Sequence, residues 1–226
     1  MEWPLKQRKM AYRLIKKAYG QATTELVFKD PFQLLVAVML AAQSTDRQVN
    51  KITPQLFTAA PDAASMAALP LPQLEMLVHG VGLYRSKAKH LQQMAQILQS
   101  KHEGTVPRSF AEMEALPGVG HKTASVVLAI AFGMPTLAVD THVFRVANRT
   151  GMASSKSIAG TEEQLKQLIP QKDWSLLHHS MWHHGHYCCR ALKPLCSDCP
   201  VAVCCRYYAE QQGDPSPDRT PRSGDL

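Results

Sequence analysis

The chain has 226 residues, of which 45% are hydrophobic and 19% are charged, so its composition is that of a globular protein and excludes a disordered chain. Lys and Arg number 25 against 18 acidic residues, and the resulting net charge of +7 favours an anionic partner, with nucleic acid the first candidate. The longest apolar run, 34–42, is too short to cross a bilayer, and the charged N-terminal segment has no apolar signal region. We therefore expect no membrane association and an intracellular protein, cytoplasmic or at the nucleoid if the source is bacterial.

Apolar residues recur at helical spacing along most of the chain, and alternating strand patterns are nearly absent, so we predict an all-α protein. The first helix is predicted from an apolar stripe formed by Ala11, Leu14, Ile15 and Ala18. Asp30 and Pro31 have the chemistry of a helix cap and a first helical position, and the helix that they open, through Ala42, is apolar nearly all round. Such a helix is expected at the centre of a core.

Later helices are bounded by glycine and proline. A long helix is predicted over 84–102, ending at Gly104. Residues 117–118, a Pro-Gly pair, interrupt the next helical stretch, which resumes near Gly120 and stops at Gly133.

The last third of the chain is predicted to contain two helices and a disordered end. Thr161 with Gln164 forms a candidate capping box for a helix that ends before Pro170. A further helix is expected from Asp173 towards the cysteines, and the proline-rich tail 213–226 is expected to be disordered.

Residues 116–124, LPGVGHKTA, predict a tight turn between two helices. Glycine permits positive φ and close backbone approach, and the N–H groups at the start of the second helix can hold a phosphate. Lys122 lies in the first turn of that helix, where the helix dipole and partial burial favour a neutral amine that can act as a nucleophile. The alternatives are a plain helical hairpin and a solvated surface lysine.

Residues 138–146, AVDTHVFRV, place Asp140 between an apolar stretch and a helical pattern. The simplest interpretation of Asp140 is a helix cap. A carboxylate held rigidly at a helix start can also stabilise a developing positive charge on a sugar.

All six cysteines lie between Cys188 and Cys205, which indicates one metal site in a reducing compartment. The spacing C-x6-C-x2-C-x5-C is formed by Cys189, Cys196, Cys199 and Cys205. Four thiolates suit either zinc or a [4Fe–4S] cluster, and the spacing alone leaves both open.

The hairpin, the segment around Asp140 and the cysteine spacing together resemble the endonuclease III family of helix-hairpin-helix DNA glycosylase/AP lyases, which carry an iron–sulfur cluster. TTELVFKDPFQLLVAVMLAAQSTD and VGLYRSKA extend the similarity to about residues 23–208. The resemblance implies removal of oxidised pyrimidines and cleavage 3′ to the abasic site by β-elimination through a lysine Schiff base. The implied partner is double-stranded DNA with damaged bases or abasic sites, bound by a monomer.

The resemblance also implies roles for individual residues. Lys122 and Asp140 correspond to the catalytic residues. Cys189, Cys196, Cys199 and Cys205 correspond to the ligands of a [4Fe–4S] cluster, which leaves Cys188 and Cys204 as spares. DNA contacts are implied for Gln43, which fills the gap of a flipped nucleotide, Leu83, an intercalating wedge, Gly118 and Gly120 of the hairpin, and Lys193 of the cysteine loop. His121 and Leu195 replace cations common in the family, so we expect weaker or more pH-dependent DNA contacts.

The predicted fold is two-lobed, with a DNA cleft between the lobes. The continuous lobe, 24–133, carries the helix-hairpin-helix, and the iron–sulfur lobe joins 1–23 to 134–212. Two alternative functions stay open: a mismatch or pyrimidine-dimer glycosylase of the same fold, and a non-catalytic DNA-binding module with a structural zinc. The hairpin lysine argues against the adenine-mismatch branch, which lacks it.

Overall fold

The computed structural model describes residues 3–213, so the tail predicted to be disordered lies, except for Gly213, outside the described residues. The described chain is all-α and contains no β-strand, as predicted. None of its helices is both long and apolar enough to cross a bilayer. The α-helices are α1 (Leu5–Tyr19), α2 (Pro31–Ala41), α3 (Asp46–Ala59), α4 (Ala63–Ala68), α5 (Leu71–Val78), α6 (Tyr84–Lys101), α7 (Phe110–Glu114), α8 (His121–Phe132), α9 (Thr141–Thr150), α10 (Ile158–Leu168), α11 (Trp174–His183) and α12 (Arg206–Gln211).

Contacts within the chain define two units. The continuous unit is Glu25–Met134 and contains α2 to α8. The split unit joins the residues up to Thr24 to those from Pro135 onward and contains α1 and α9 to α12. Each unit has a hydrophobic core of its own.

Helix α2 is at the centre of the continuous unit's core. Leu34, Leu35 and Leu40 have no exposed surface. Asp30 caps the helix by accepting a 2.9 Å hydrogen bond from the Gln33 backbone N–H, as its sequence predicts. Because both faces of α2 are covered, its apolar composition is a consequence of its central position.

Helix α1 packs on the split unit, but its buried face differs from the predicted stripe. Ala11 and Ile15 are fully buried, whereas Ala18 is exposed. The buried face instead advances in steps of four residues to Tyr19, whose carbonyl accepts a hydrogen bond from Ser180 on α11 and whose ring lies against His184. The prediction was wrong at Ala18 because the tertiary partner selects the next residue.

The N-terminal end of the split unit is joined to the cysteine segment. The indole N–H of Trp3 donates to the Cys204 carbonyl at 2.9 Å. Gly151 has φ of +83°, and a Cβ there would lie 2.7 Å from the Trp3 ring. Glycine therefore lets the ring pack directly on the backbone after α9.

The predicted capping box at Thr161 is wrong. Ser157 caps α10 by accepting a hydrogen bond from the Gly160 N–H, and α10 has already begun at Ile158. Thr161 is buried inside the helix and donates to the Ser157 carbonyl. Gln164 binds the backbone of Ser154 instead. Both serine and threonine can cap a helix, and the earlier residue is the one used.

We predict that Asp173→Asn lowers the free energy of unfolding by about 1–2 kcal/mol at pH 7. The Asp173 carboxylate accepts hydrogen bonds from Lys16 and Tyr12 of α1, the one from Lys16 at 2.8 Å, and these bonds hold its pKa below 3.8. A depressed carboxyl pKa stabilises the fold above the unfolded-state pKa, and this stabilisation is lost as the pH falls through the folded-state pKa. The difference between variant and wild type should therefore shrink towards about pH 3 in urea unfolding.

The matched control is Glu163→Gln, which removes an exposed carboxylate of the same unit. It should change the free energy of unfolding at pH 7 by less than about 0.5 kcal/mol. If Asp173→Asn destabilised the protein equally at pH 7 and at about pH 3, a role for the Asp173 charge would be contradicted.

Candidate functional site

Three of the side chains implicated by the sequence lie on residues with a left-handed backbone. Gln43 and Leu83 each have φ of +56°, and Lys193 has φ of +51°. In the described part of the chain, only one other non-glycine residue, Glu103, has a positive φ. All three side chains are exposed, and a left-handed L-residue costs about 1–2 kcal/mol. The surrounding structure thus holds three exposed side chains in strained positions, which is typical of functional sites.

The loops that carry Gln43 and Leu83 are in contact within the continuous unit. Gln43 follows the end of α2, and Leu83 immediately precedes α6. The Gly82 backbone N–H donates to the Ser44 hydroxyl at 3.2 Å. A Cβ at Gly82 would lie 3.3 Å from the Gln43 carbonyl oxygen. The two predicted DNA-contacting side chains therefore project from adjoining loops.

The predicted hairpin joins α7 to α8. Its two glycines differ in backbone conformation and in the space available for a side chain. Gly118 has φ of +78°, and a Cβ there would lie 2.9 Å from the Cβ of His90. Gly120 has an extended backbone that any residue adopts, and within residues 3–213 no atom outside its immediate chain neighbours lies within 4 Å of the position that a Cβ would take. The fold requires glycine at Gly118 only. At Gly120 the space beside the backbone is open.

The start of α8 combines Gly120 with the predicted nucleophile. No side chain caps this helix, and the first N–H groups of an α-helix have no partner within the helix itself. Lys122 lies in the first turn with its side chain exposed, so the partial burial expected from the sequence is absent. The neighbouring His121 donates a 2.8 Å hydrogen bond from Nδ1 to the Glu114 carboxylate and stacks on Phe110, and these contacts join α8 to α7.

Asp140 is the cap of α9 in the split unit, as its sequence position predicts. Its Oδ1 accepts hydrogen bonds of 2.9 Å from the backbone N–H groups of His142 and Val143. The residue is 7% exposed and follows the buried segment 137–139. The carboxylate is therefore rigidly placed and has a limited exposed surface.

The cysteine segment surrounds one cavity in the split unit. The cavity is lined by all four cysteines of the C-x6-C-x2-C-x5-C pattern, namely Cys189, Cys196, Cys199 and Cys205, and also by Cys188. Cys204 does not line it and is buried in the core. Burial raises the pKa of Cys205 to about 11, so metal binding, which needs thiolates, must displace protons here.

Sulfur spacing separates a single ion from a cluster. A tetrahedral zinc ion at about 2.3 Å from each thiolate brings its sulfurs within roughly 3.8 Å of one another. Among the described residues, the one group of three ligand atoms within 4.8 Å of one another is His184, Cys188 and Cys199. No three of the four pattern cysteines are that close, although they share one cavity. In a cluster each cysteine binds a different iron, so this wider arrangement fits a polynuclear group.

Two arginines of α9, which sequence reasoning did not identify, hold the cysteine segment. Arg145 donates to the carbonyls of Gly185 and Cys189, at 2.8 and 2.9 Å. Arg149 donates to the carbonyls of Arg190 and Ala191, and its Nη1 lies 3.6 Å from the Cys189 sulfur. Their position four residues apart on one helix face was the available signal.

The arginine contacts also distinguish Cys189 from its neighbour. The Cys189 sulfur accepts a hydrogen bond from the Arg149 guanidinium, as the sulfur of a metal-bound cysteine can. The Cys188 sulfur instead donates to the Leu195 carbonyl oxygen at 3.7 Å. The two neighbouring sulfurs therefore have different hydrogen-bond partners.

Known proteins resemble most of this chain. Residues 36–171 match the family model of the HhH-GPD superfamily base excision DNA repair protein. Endonuclease III of Escherichia coli (strain K12) is 46% identical over 185 residues, which cover 82% of this chain and 88% of that protein. A structure of a trapped endonuclease III–DNA covalent intermediate is 41% identical, with a TM-score of 0.88 over 92% of this chain and 99% of that one. A thermostable thymine-DNA glycosylase has a similar fold, with a TM-score of 0.82 over 91% of this chain and 98% of that one, at 24% identity.

We predict that alanine lowers stability at Gly118 and changes it little at Gly120. Gly118→Ala should lower the free energy of unfolding by at least about 1 kcal/mol, because it combines a left-handed backbone with a collision against His90. Gly120→Ala should change it by less than about 0.5 kcal/mol. Urea unfolding of both variants measures the contrast, and equal losses would contradict it.

Proposed function

We propose that Lys122 and Asp140 carry the chemistry of this chain, which belongs to the endonuclease III family within the HhH-GPD superfamily of base excision DNA repair proteins. It is a DNA glycosylase and AP lyase of base excision repair, and its partner is DNA. The family, the all-α helix-hairpin-helix fold and this class of activity, all predicted from the sequence, are confirmed. The observation that carries the assignment of the nucleophile is the exposed position of Lys122 in the first turn of α8, two residues after the open Gly120.

The proposed reaction begins when the Lys122 amine, as the nucleophile, attacks C1′ of the damaged nucleotide. The bond between C1′ and the base breaks, the base leaves with its electron pair, and the leaving base takes up the proton that the amine gives up. Asp140 stabilises the positive charge that develops on the sugar. Opening of the sugar gives a Schiff base on Lys122. Loss of a C2′ proton then expels the 3′ phosphate and cuts the strand.

Access to a base inside a duplex requires that the nucleotide be flipped out. We assign Gln43 to filling the gap that the nucleotide leaves, and Leu83 to insertion between neighbouring bases. The exposure of both side chains supports this assignment, since Leu83 is 63% exposed and its apolar surface is available for insertion between bases. The strained backbone at both residues is consistent with a loop shaped for a ligand.

The phosphate backbone is proposed to contact the hairpin and the cysteine loop. At the start of α8, backbone N–H groups and the helix dipole favour an anion, and the open space at Gly120 admits a phosphate. Gly118 gives the turn its shape. Lys193 adds a cation on the exposed loop between Cys189 and Cys196.

We propose that Cys189, Cys196, Cys199 and Cys205 hold one [4Fe–4S] cluster. Their shared cavity, their separation and the arginine beside Cys189 support this assignment. When bound, such a cluster cross-links the loop and can accept or donate an electron, while four thiolates leave no open position for hydrolysis. Arg145 and Arg149 bind the backbone of this loop, and these hydrogen bonds fix the position of Lys193.

Oxidised pyrimidines are the lesion class that we propose, removed by a monomer acting on intracellular DNA. A mismatch or pyrimidine-dimer glycosylase is the second candidate, and its support is likeness of fold at 24% identity. A non-catalytic module with structural zinc is disfavoured by the spacing of the pattern cysteines. A panel of oligonucleotides, each with one lesion, distinguishes the first two.

We predict that Lys122→Ala abolishes covalent trapping. Wild-type protein incubated with duplex DNA that contains an abasic site or an oxidised pyrimidine should form a protein–DNA adduct when borohydride reduces the Schiff base. Lys122→Ala should give no adduct and no strand cleavage. Its DNA affinity should fall by less than about tenfold, because only one positive charge near a DNA phosphate is lost. Gel electrophoresis of the trapped complex measures the outcome.

Two variants control for indirect effects. Lys122→Gln removes the amine and keeps most of the stem, so it should behave like Lys122→Ala. Asp140→Asn keeps capping ability without the charge, so it should fold and lose most base excision. Trapping of Lys122→Ala at the wild-type rate would show that another amine is the nucleophile.

We predict that Cys189→Ala loses the cluster and that its neighbour variant Cys188→Ala keeps it. Wild-type protein purified without oxygen should be brown and contain about four irons per chain. Iron content and visible absorbance should collapse in Cys189→Ala and remain near wild type in Cys188→Ala and Cys204→Ala. Colourless wild-type protein with one zinc per chain, or loss of iron in Cys188→Ala alone, contradicts the ligand set.

A further inference from the structure

Lys87 is a buried cation in the continuous unit that the proposed reaction does not use. The residue is 8% exposed, and its ammonium donates to the Leu40 carbonyl at 2.8 Å and to the Ser44 hydroxyl at 3.1 Å. Burial lowers its pKa, and no carboxylate of the described chain pairs with it. A buried charge without a counter-ion destabilises the fold. If the side chain served packing alone, an apolar residue would fill this position at a lower free-energy cost.

The hydrogen bonds of Lys87 converge on the two loops that carry Gln43 and Leu83. Leu40 and Ser44 lie on either side of Gln43 along the chain, so the ammonium spans the left-handed residue. The Ser44 hydroxyl that Lys87 contacts also accepts the hydrogen bond from Gly82, the residue before Leu83. One ammonium and one hydroxyl therefore link the backbones of both loops.

We propose that Lys87 is a positioning residue that holds Gln43 and Leu83 in register, so that gap filling and wedge insertion occur together when a nucleotide is flipped. The proposal rests on the functions proposed above for those two side chains. Each loop alone contains a strained residue, and such strain persists only where the surroundings determine the backbone. Charge-assisted hydrogen bonds from Lys87, on the rigid helix α6, fix the backbone conformation of these loops.

The test separates duplex distortion from chemistry. Lys87→Met removes the ammonium and keeps the length of the stem. With a duplex that contains an abasic site opposite 2-aminopurine, fluorescence reports insertion, and single-turnover cleavage reports the rate. We expect both insertion and the cleavage rate to fall at least about tenfold. On a single-stranded abasic oligonucleotide, which has no gap to fill, borohydride trapping by Lys87→Met should match wild type.

Matched variants complete the experiment. Lys89→Met removes the same charge from an exposed position of α6 and should leave the ratio of duplex to single-strand rates unchanged. Ser44→Ala removes the shared hydroxyl and leaves Lys87 in place, so it should reproduce the duplex defect with smaller amplitude even if Lys87→Met folds poorly. In a chain that already carries Gln43→Ala and Leu83→Ala, Lys87→Met should cause no further loss.

Equal losses on duplex and single strand in both Lys87→Met and Ser44→Ala overturn the proposal in favour of a purely structural role. Wild-type insertion and rates in both variants overturn it as well. Absence of trapping by the wild-type protein on either substrate is a different result, because it contradicts the proposed function itself.

Discussion

Helix α9 determines how Asp140 and the cysteine segment are placed within the split unit, because it contacts both of them. Asp140 caps its start, and Arg145 and Arg149 on its later turns bind four backbone carbonyls of the cysteine segment. The helix has ten residues and is about 15 Å long. A shift of the loop would leave guanidinium groups without acceptors, which is unfavourable for a half-buried cation. Asp140 and the cysteine segment are therefore attached to one rigid element.

The sequence predicted correctly those helix ends that depend only on neighbouring residues. The cap at Asp30 and the end of α8 at Gly133, with its φ of +65°, follow from residue type and position. The errors at Ala18 and Thr161 have a different origin. Helix periodicity gives two neighbouring candidates for a buried face, and a segment rich in Ser and Thr gives several candidates for a cap. Only the tertiary partner, such as Ser180 for the last turn of α1, decides between them.

The candidate site was predictable as a set of residues and unpredictable as a geometry. Motifs identified Lys122, Asp140 and the cysteines through resemblance, and the structure places Asp140 as a cap. Whether these residues act as assigned stays a prediction. The left-handed backbone at Gln43 and Leu83 leaves no trace in the sequence, since neither residue type prefers it. Long-range contacts were equally invisible: Arg145 binds the carbonyl of Cys189, 44 residues further along the chain.

The contact between Trp3 and Cys204 spans 201 positions of sequence and has a consequence for the order of folding on the ribosome. All residues of the continuous unit have been synthesised once Met134 has been added to the chain. Helix α1 is made first, yet its partner Ser180 on α11 and the Cys204 carbonyl that binds Trp3 are synthesised more than 150 residues later. Because domains generally fold as units during synthesis, α1 waits with an exposed apolar face while the continuous unit forms. The cysteine segment is one of the last parts to emerge, so the contact that joins it to Trp3 can form only near the end of synthesis.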